Sequence, residues 1–250
     1  MKKPSKLKKS VAPKKSPERK PLKKLPKKKT ASGAKTTTRS GGKIVTKDVA
    51  KSGASIAKPA LIKAPGFPIV VFDTETTGLT KNRTVKLNKQ PEVIEFMGAL
   101  IDLDAGPEPL KEYYTLIRPT VEFPMTDYTI RETKTKLSNE LLKDAPTFKE
   151  VANEIHDFLA HPAPGNLAHN LSFDRDMIEI ELERLGRKIE WPIVGICTVE
   201  QTVHLRGRRM NQTALHTYLF EKEFDGAHRA RNDVLALTNI AVELRRRGII

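Results

Sequence analysis

Asp73 and Glu75 are carboxylates two residues apart, directly after the apolar run Ile69-Val70-Val71-Phe72. If that run is a buried strand, alternation puts both side chains on one face. Carboxylates that close repel each other unless a cation lies between them. Hard divalent ions such as Mg²⁺ take carboxylate oxygen. Asp-x-Glu alone is a weak signal, because the spacing is common on solvent faces. Its place at the end of a wholly apolar strand strengthens it. Thr76-Thr77-Gly78 then supplies a turn where backbone could approach a ligand closely.

Two further segments carry suitable groups. Asp174 ends His169-Asn170-Leu171-Ser172-Phe173-Asp174. Alone it reads better as a carboxylate favoured by a helix dipole than as a metal ligand. His228 and Asp233 are five apart, which is far from one face of a continuous helix. His228 is therefore expected on a loop and Asp233 one turn into the helix that follows. Taken jointly, Asp73, Glu75, Asp174 and Asp233 could hold two divalent ions, Mg²⁺ or Mn²⁺. Such a pair stabilises the attacking and leaving oxygens of a phosphoryl displacement. A histidine near neutral pKa can deprotonate the attacking water. His156, His161, His204 and His216 read as surface or satisfied residues. His169, inside the second segment, fits that reading least well.

The elements that must position these groups follow from pattern. Strands are expected over 69–73, 92–103, 113–118, 166–169 and 193–197. Thr147 and Glu150 form a capping box ahead of Val151, Ile155, Phe158 and Leu159. Ser172 reads as the N-cap of a helix carrying Met177, Ile178, Leu182 and Leu185, with Gly186 as its C-terminal cap. Shorter and longer helices are expected over 213–220 and 229–247, the latter ending in Arg245-Arg246-Arg247. Three strands in succession, then alternating helices and strands, imply a mixed sheet flanked by helices. The first three strands are expected antiparallel, through short loops, and the later ones parallel to the first.

Charge divides the chain. Residues 1–66 hold 21 of the 45 Lys+Arg and two of the 30 Asp+Glu, a net +19; the rest carries 24 and 28, a net −4. The arm 1–66 has no aromatic residue and few large apolar ones, so it is expected to be disordered, with the folded domain over 67–250. Its lysines offer point charges to phosphates without base readout. A sequence-independent nucleic-acid tether is one reading. A nuclear import patch at Lys23-Lys24-Leu25-Pro26-Lys27-Lys28-Lys29, a solubilising tail and attraction to anionic lipid are the others. Neither a signal peptide nor a membrane span is evident. Cys197 is the only cysteine, so intrachain disulfides and cysteine zinc sites are excluded. An intracellular location, cytoplasmic, nucleoid or nuclear, is expected.

In this order and on these elements, Asp73-Thr-Glu75-Thr-Thr-Gly, His169-Asn170-x-x-Phe173-Asp174 and His228-x-x-x-x-Asp233 resemble the DEDDh (DnaQ-like) 3′–5′ exonucleases of the ribonuclease H-like fold. Weaker matches are Ile94-Glu95-Phe96, Ile117-Arg118-Pro119, Ala145-Pro146-Thr147-Phe148 and Leu215-His216-x-Tyr218-Leu219. The resemblance covers residues 68–247. It implies a three-layer α/β domain around a mixed sheet of about five strands. It implies Asp73, Glu75, Asp174 and Asp233 as the metal site, Asp73 touching both ions, and His228 as general base. The backbone at Thr76 and Thr77, beside Gly78 and with Leu79 as a wedge, would hold the terminal nucleotide. His169, Asn170 and Phe173 would support it. The implied substrate is nucleic acid with a free 3′ end, single-stranded or frayed, cut to nucleoside 5′-monophosphates. Proofreading would need a DNA polymerase partner. RNA 3′-end trimming and a non-catalytic binding module are the alternatives. Two features depart from many relatives. The connection 81–91 is long and basic, and strand two reads Glu95-Phe96-Met97-Gly98 in place of Glu-Ile-Gly.

Overall fold

A computed structural model describes residues 66–121, 136–160 and 162–250. The expected basic arm and His161 lie outside the described residues. Five strands, β1 (Pro68–Thr76), β2 (Val93–Asp102), β3 (Lys111–Leu116), β4 (Gly165–Ala168) and β5 (Val194–Cys197), form one sheet in the order β3-β2-β1-β4-β5. β1 pairs antiparallel with β2, and β2 with β3. β1 pairs parallel with β4, and β4 with β5. This mixed order is the ribonuclease H-like arrangement that the motifs imply. The helices are α1 (Asn139–Leu142), α2 (Phe148–Leu159), α3 (Leu171–Arg184), α4 (Thr198–Arg206), α5 (Gln212–Phe220) and α6 (Ala230–Arg246).

Alternation along β1 sends its side chains into two separate cores. Val70 and Phe72 pack with Phe96, with Ile155 and Phe158 of α2 and with Met177 and Ile178 of α3. Ile69 and Val71 pack with Met97, with Leu215 of α5 and with Val234 and Leu237 of α6. Each such buried side chain contributes about 1.5–3 kcal/mol. A one-residue slip of β1 would exchange the two sets, so its register is strongly specified. Gly98 on β2 admits the ring of Phe158, since a Cβ there would lie 2.5 Å from ring carbon Cε1.

The capping box is present, with the Thr147 amide donating to Glu150 Oε2 at 2.7 Å. Gly186 takes the left-handed conformation (φ 69°) after α3, and Arg187 N–H donates to Leu182 O at 2.9 Å. Four expectations need correction. β1 continues to Thr76, so Asp73 and Glu75 lie within the strand; a register irregularity falls between Glu75 and Thr76. Ser172 is not a cap. Asn170 occupies the N-cap of α3 in the left-handed region, φ 77° and ψ 52°. The chain turns from β4 into α3 within two residues, and Asn is among the few non-glycine residues that accept that backbone. α4 is an additional helix, one that its polar sequence TVEQTVHLR does not signal, having little helical periodicity. The β1–β2 connection is not short. It runs from Thr77 to Glu92 and contains a 3-10 turn at Leu87–Lys89. That segment is pinned to α3: Arg83 pairs with Glu179 at 2.8 Å and Asp176 at 3.1 Å, and Arg184 donates to the carbonyls of Leu87, Gln90 and Pro91.

Candidate active site

The site forms where β1 and β4 end side by side, with a helix packed on each face of the sheet. Crevices of this kind, outside the carboxyl ends of parallel strands, are the usual place for ligands in α/β sheets. Asp73 and Glu75 extend the Ile69–Val71 face of β1, the face that α6 covers. Asp233, in the first turn of α6, meets them there. One carboxylate oxygen from each of Asp73, Glu75 and Asp233 lies within 4.8 Å of the others. Thr74 points to the opposite face, toward α3. Its amide and hydroxyl both donate to Asp174 Oδ1, at 3.0 and 2.8 Å. Asp174 is thereby tied to the strand residue between the two β1 carboxylates.

These residues line one cavity of about 280 Å³, together with Thr76, Leu79, His169, Phe173, His228 and residues 211–213. Asp233 Oδ2 accepts the amides of His228 and Arg229 at 2.9 and 3.0 Å. His228 is left-handed at φ 68°, an uncommon state for a residue with a side chain. Gln212 Nε2 donates to Asp233 O at 2.7 Å, joining the start of α5 to that of α6.

Crowding of buried carboxylates controls the electrostatics. Burial, then the charges of Asp174, Asp233, Glu75 and Glu95, hold the Asp73 carboxyl well above the usual carboxylate range. Glu75 is pushed up to about 8, by burial first and then by Asp233, Glu95 and Asp174, against the lowering charge of Arg229. Asp174 rises to about 7 through burial, opposed by its two bonds from Thr74. Asp233 rises to about 6 through burial, opposed by the amides it accepts. Such a cluster without a counter-ion must hold protons, and a hard divalent cation replaces them with a better partner. The donor set, all carboxylate oxygen, fits that group. Asp73, Glu75 and Asp233 could hold such an ion between them, and Asp174 lines the same cavity.

His169 behaves differently. Burial lowers it to about 4, so its ring is neutral at physiological pH. Its Nδ1 lies 2.8 Å from Thr198 Oγ1. Of the other expected contact residues, Thr76, Leu79, His169 and Phe173 line the cavity, while Thr77, Gly78 and Asn170 are not in its wall. Thr77 Oγ1 accepts the Glu92 amide and Asn170 Oδ1 accepts from Arg209. Residues 211–213 and Ala227 also line the cavity and lie outside the motifs, while Thr74 lies within the first motif with no role assigned to it. Their signals are ordinary: Thr74 alternates away from its neighbours, and Asn211 is the N-cap of α5. Glu95 is visible in the sequence only as a motif residue without a role. His156 pairs with Asp157, and His216 packs on Phe220 and Phe224.

Comparison with known proteins follows the same lines. Residues 70–241 match the RNase_T exonuclease family. DNA polymerase III subunit epsilon of Rickettsia prowazekii is 31% identical over 121 residues, 47% of this chain and 45% of that protein. The epsilon subunit of Buchnera aphidicola subsp. Acyrthosiphon pisum is 26% identical over 170 residues, 64% of this chain and 65% of that protein. The chain thus spans about half to two thirds of the length of these curated relatives. Among solved structures, the nuclease domain of 3′hExo, a DEDDh family member bound to rAMP, superposes with a TM-score of 0.57 at 18% identity, covering 74% of this chain and 94% of that one. Cell-death related nuclease 4 also gives a TM-score of 0.57, at 15% identity, covering 74% of this chain and 65% of that one. With its acidic cavity carried by the motifs of the DEDDh, DnaQ-like branch, the chain belongs to the exonuclease family.

Proposed function

We propose that the protein removes nucleoside 5′-monophosphates from the 3′ ends of nucleic acid, by a mechanism that uses two divalent ions and His228 as general base. The convergence of Asp73, Glu75 and Asp233 within 4.8 Å carries this reading. Asp174 and His228 share the cavity. Mg²⁺ or Mn²⁺ held by Asp73, Glu75, Asp174 and Asp233 would polarise the phosphoryl group and offset its charge. The chain's own groups do the rest. His228, beside Asp233, takes a proton from the attacking water. Leu79, about half exposed at the cavity rim, offers an apolar surface to the terminal base. Neutral His169 and Phe173 line the same cavity. The cavity is at the lower end of the range for small-molecule sites, which suits one nucleotide rather than a stretch of strand.

DNA is the substrate we favour, because the curated relatives are DNA polymerase subunits. A polymerase partner and a proofreading or repair role follow from the same likeness. RNA trimming is the alternative, and a solved relative is described as recognising a histone mRNA stem-loop. The deciding experiment is a side-by-side rate measurement on matched 5′-labelled DNA and RNA oligonucleotides with Mg²⁺ or Mn²⁺. Stepwise shortening from the 3′ end is expected, faster on DNA. Intact oligonucleotides with either ion would reject the reading, and faster RNA cleavage would reverse the substrate.

The arm carries net +19, whereas the remainder carries −4. We propose that the arm holds the polyanionic strand near an acidic site. Deleting residues 1–62 is expected to weaken strand binding and flatten its salt dependence while hydrolysis persists. Each phosphate that lysine no longer neutralises changes the log–log salt slope by about 0.7 on single strands. An unchanged slope in a binding titration would remove the tether.

A further inference from the structure

We infer that Glu95, Tyr114 and Arg229 form a brace that positions His228 relative to the carboxylates of β1. The inference rests on the exonuclease reading, and assigns a role to three residues outside that machinery. Glu95 on β2 has no exposed surface. Its carboxylate accepts Arg229 Nη2 at 2.9 Å, Arg229 Nε at 3.1 and 3.2 Å, the Ala230 amide at 3.0 Å and the Tyr114 hydroxyl at 2.8 Å. Arg229 Nη2 also donates to the Tyr114 hydroxyl at 3.1 Å, which closes the network.

An ion pair with one partner fully buried, as Glu95 is here, is a poor source of net stability, since desolvation offsets most of its attraction. Its distinctive property is geometric, because the planar guanidinium fork admits few arrangements. What it fixes lies beside it in the chain. Arg229 is the N-cap of α6 and follows His228, whose backbone is left-handed at φ 68°. Three successive amides are gripped there. Asp233 takes those of His228 and Arg229, and Glu95 takes that of Ala230. The Asp233 grip comes from within α6 and moves with it. The Glu95 grip ties this turn to the sheet, directly opposite Glu75 in the β1–β2 register. The brace therefore sets the spacing between the half of the site on β1 and the half on the α6 turn.

The test uses the full chain and a chromogenic mononucleotide, the p-nitrophenyl ester of thymidine 5′-monophosphate. Glu95→Gln is expected to lower kcat about 10- to 100-fold, the usual effect of losing a group that supports a metal-site residue. KM should stay within about twofold, as for an interaction made mainly in the transition state. In a His228→Ala background the same substitution should cost little more, because residues acting as one unit are not additive. A full, additive loss, or a change confined to KM, would overturn the brace. Arg229→Lys keeps the charge without the fork; Arg229 is part-exposed, so this variant serves if Glu95→Gln does not fold. In metal-free protein, amide hydrogen exchange at residues 228–230 should quicken at least about tenfold in Arg229→Lys. Unchanged exchange would overturn the proposal even if the wild-type chain cleaved nothing, whereas an inactive wild type with faster exchange in the variant would count against the exonuclease reading alone.

Discussion

Asp73→Asn is expected to abolish hydrolysis and, in metal-free protein, to raise the melting temperature. The two effects have one cause. Asp73 sits where burial and four neighbouring carboxylates, from Asp174, Asp233, Glu75 and Glu95, all oppose its ionised form. That arrangement stabilises nothing in metal-free protein and suits a divalent cation. Asparagine keeps the shape and loses the charge. A bound divalent ion contributes several kcal/mol of transition-state stabilisation. At 1.36 kcal/mol per tenfold, a loss of about 4 kcal/mol is about a thousandfold in rate. Stability moves the other way, since the fold no longer has to keep a carboxyl protonated at neutral pH. Each kcal/mol recovered raises the melting temperature of a domain this size by about 2–4 °C. Oligonucleotide turnover and a thermal melt of the same preparation check both. More than a tenth of wild-type activity in Asp73→Asn would remove Asp73 from the metal site. A lower melting temperature would show that the cluster is not repulsive.

The second large effect couples pH, metal and stability. Glu75, Asp174 and Asp233 titrate near 8, 7 and 6 in the folded chain. Unfolded, such groups titrate near 4. Between about pH 4 and 8 the folded state therefore binds more protons than the unfolded state. The sign follows: stability fully present below about pH 4 is lost as pH rises toward 8. The metal-free protein is expected to melt at a lower temperature at pH 8 than at pH 5. Saturating Mg²⁺ or Mn²⁺ should restore the difference, because the ion binds ionised carboxylates that only the fold brings together. At a hundredfold excess over Kd the gain is about 2.7 kcal/mol, or roughly 5–10 °C. Little metal effect is expected at pH 5, where protons compete for the same oxygens. Thermal melts with EDTA and with each ion, across pH 5 to 8, test this. A metal-free melting temperature that rises with pH would contradict the raised carboxyls.

Much of this is legible in the residues themselves. The apolar run before Asp73 announces a buried strand, and Thr147 with Glu150 marks a helix start, because these signals act over a few residues. The motifs also name the groups that meet in the cavity. Legibility stops where the backbone takes an unusual state. Ser172 and Asn170 have comparable capping chemistry, yet the N-cap position of α3 falls at Asn170, because the close turn from β4 into α3 demands a left-handed residue. The polar α4 carries no periodicity to read, since it buries only Thr198, Val199 and Thr202. The long basic connection after β1 offers no hint that Arg83 and Arg184 pin it to α3.

The sequence by itself determined which residues could do chemistry, which strand faces are apolar, and the division of charge between a +19 arm and a −4 remainder. Composition and short-range periodicity are local properties. Only the tertiary structure decided that Asp73, Glu75 and Asp233 share one point, that Asp174 is held by Thr74 from the other face, and that Glu95 grips Arg229. These contacts join residues up to 160 positions apart, from Asp73 to Asp233. They arise because the two cores on either side of β1 must both close at once, which leaves α3 and α6 one way to dock and brings their first turns to the end of the same strand.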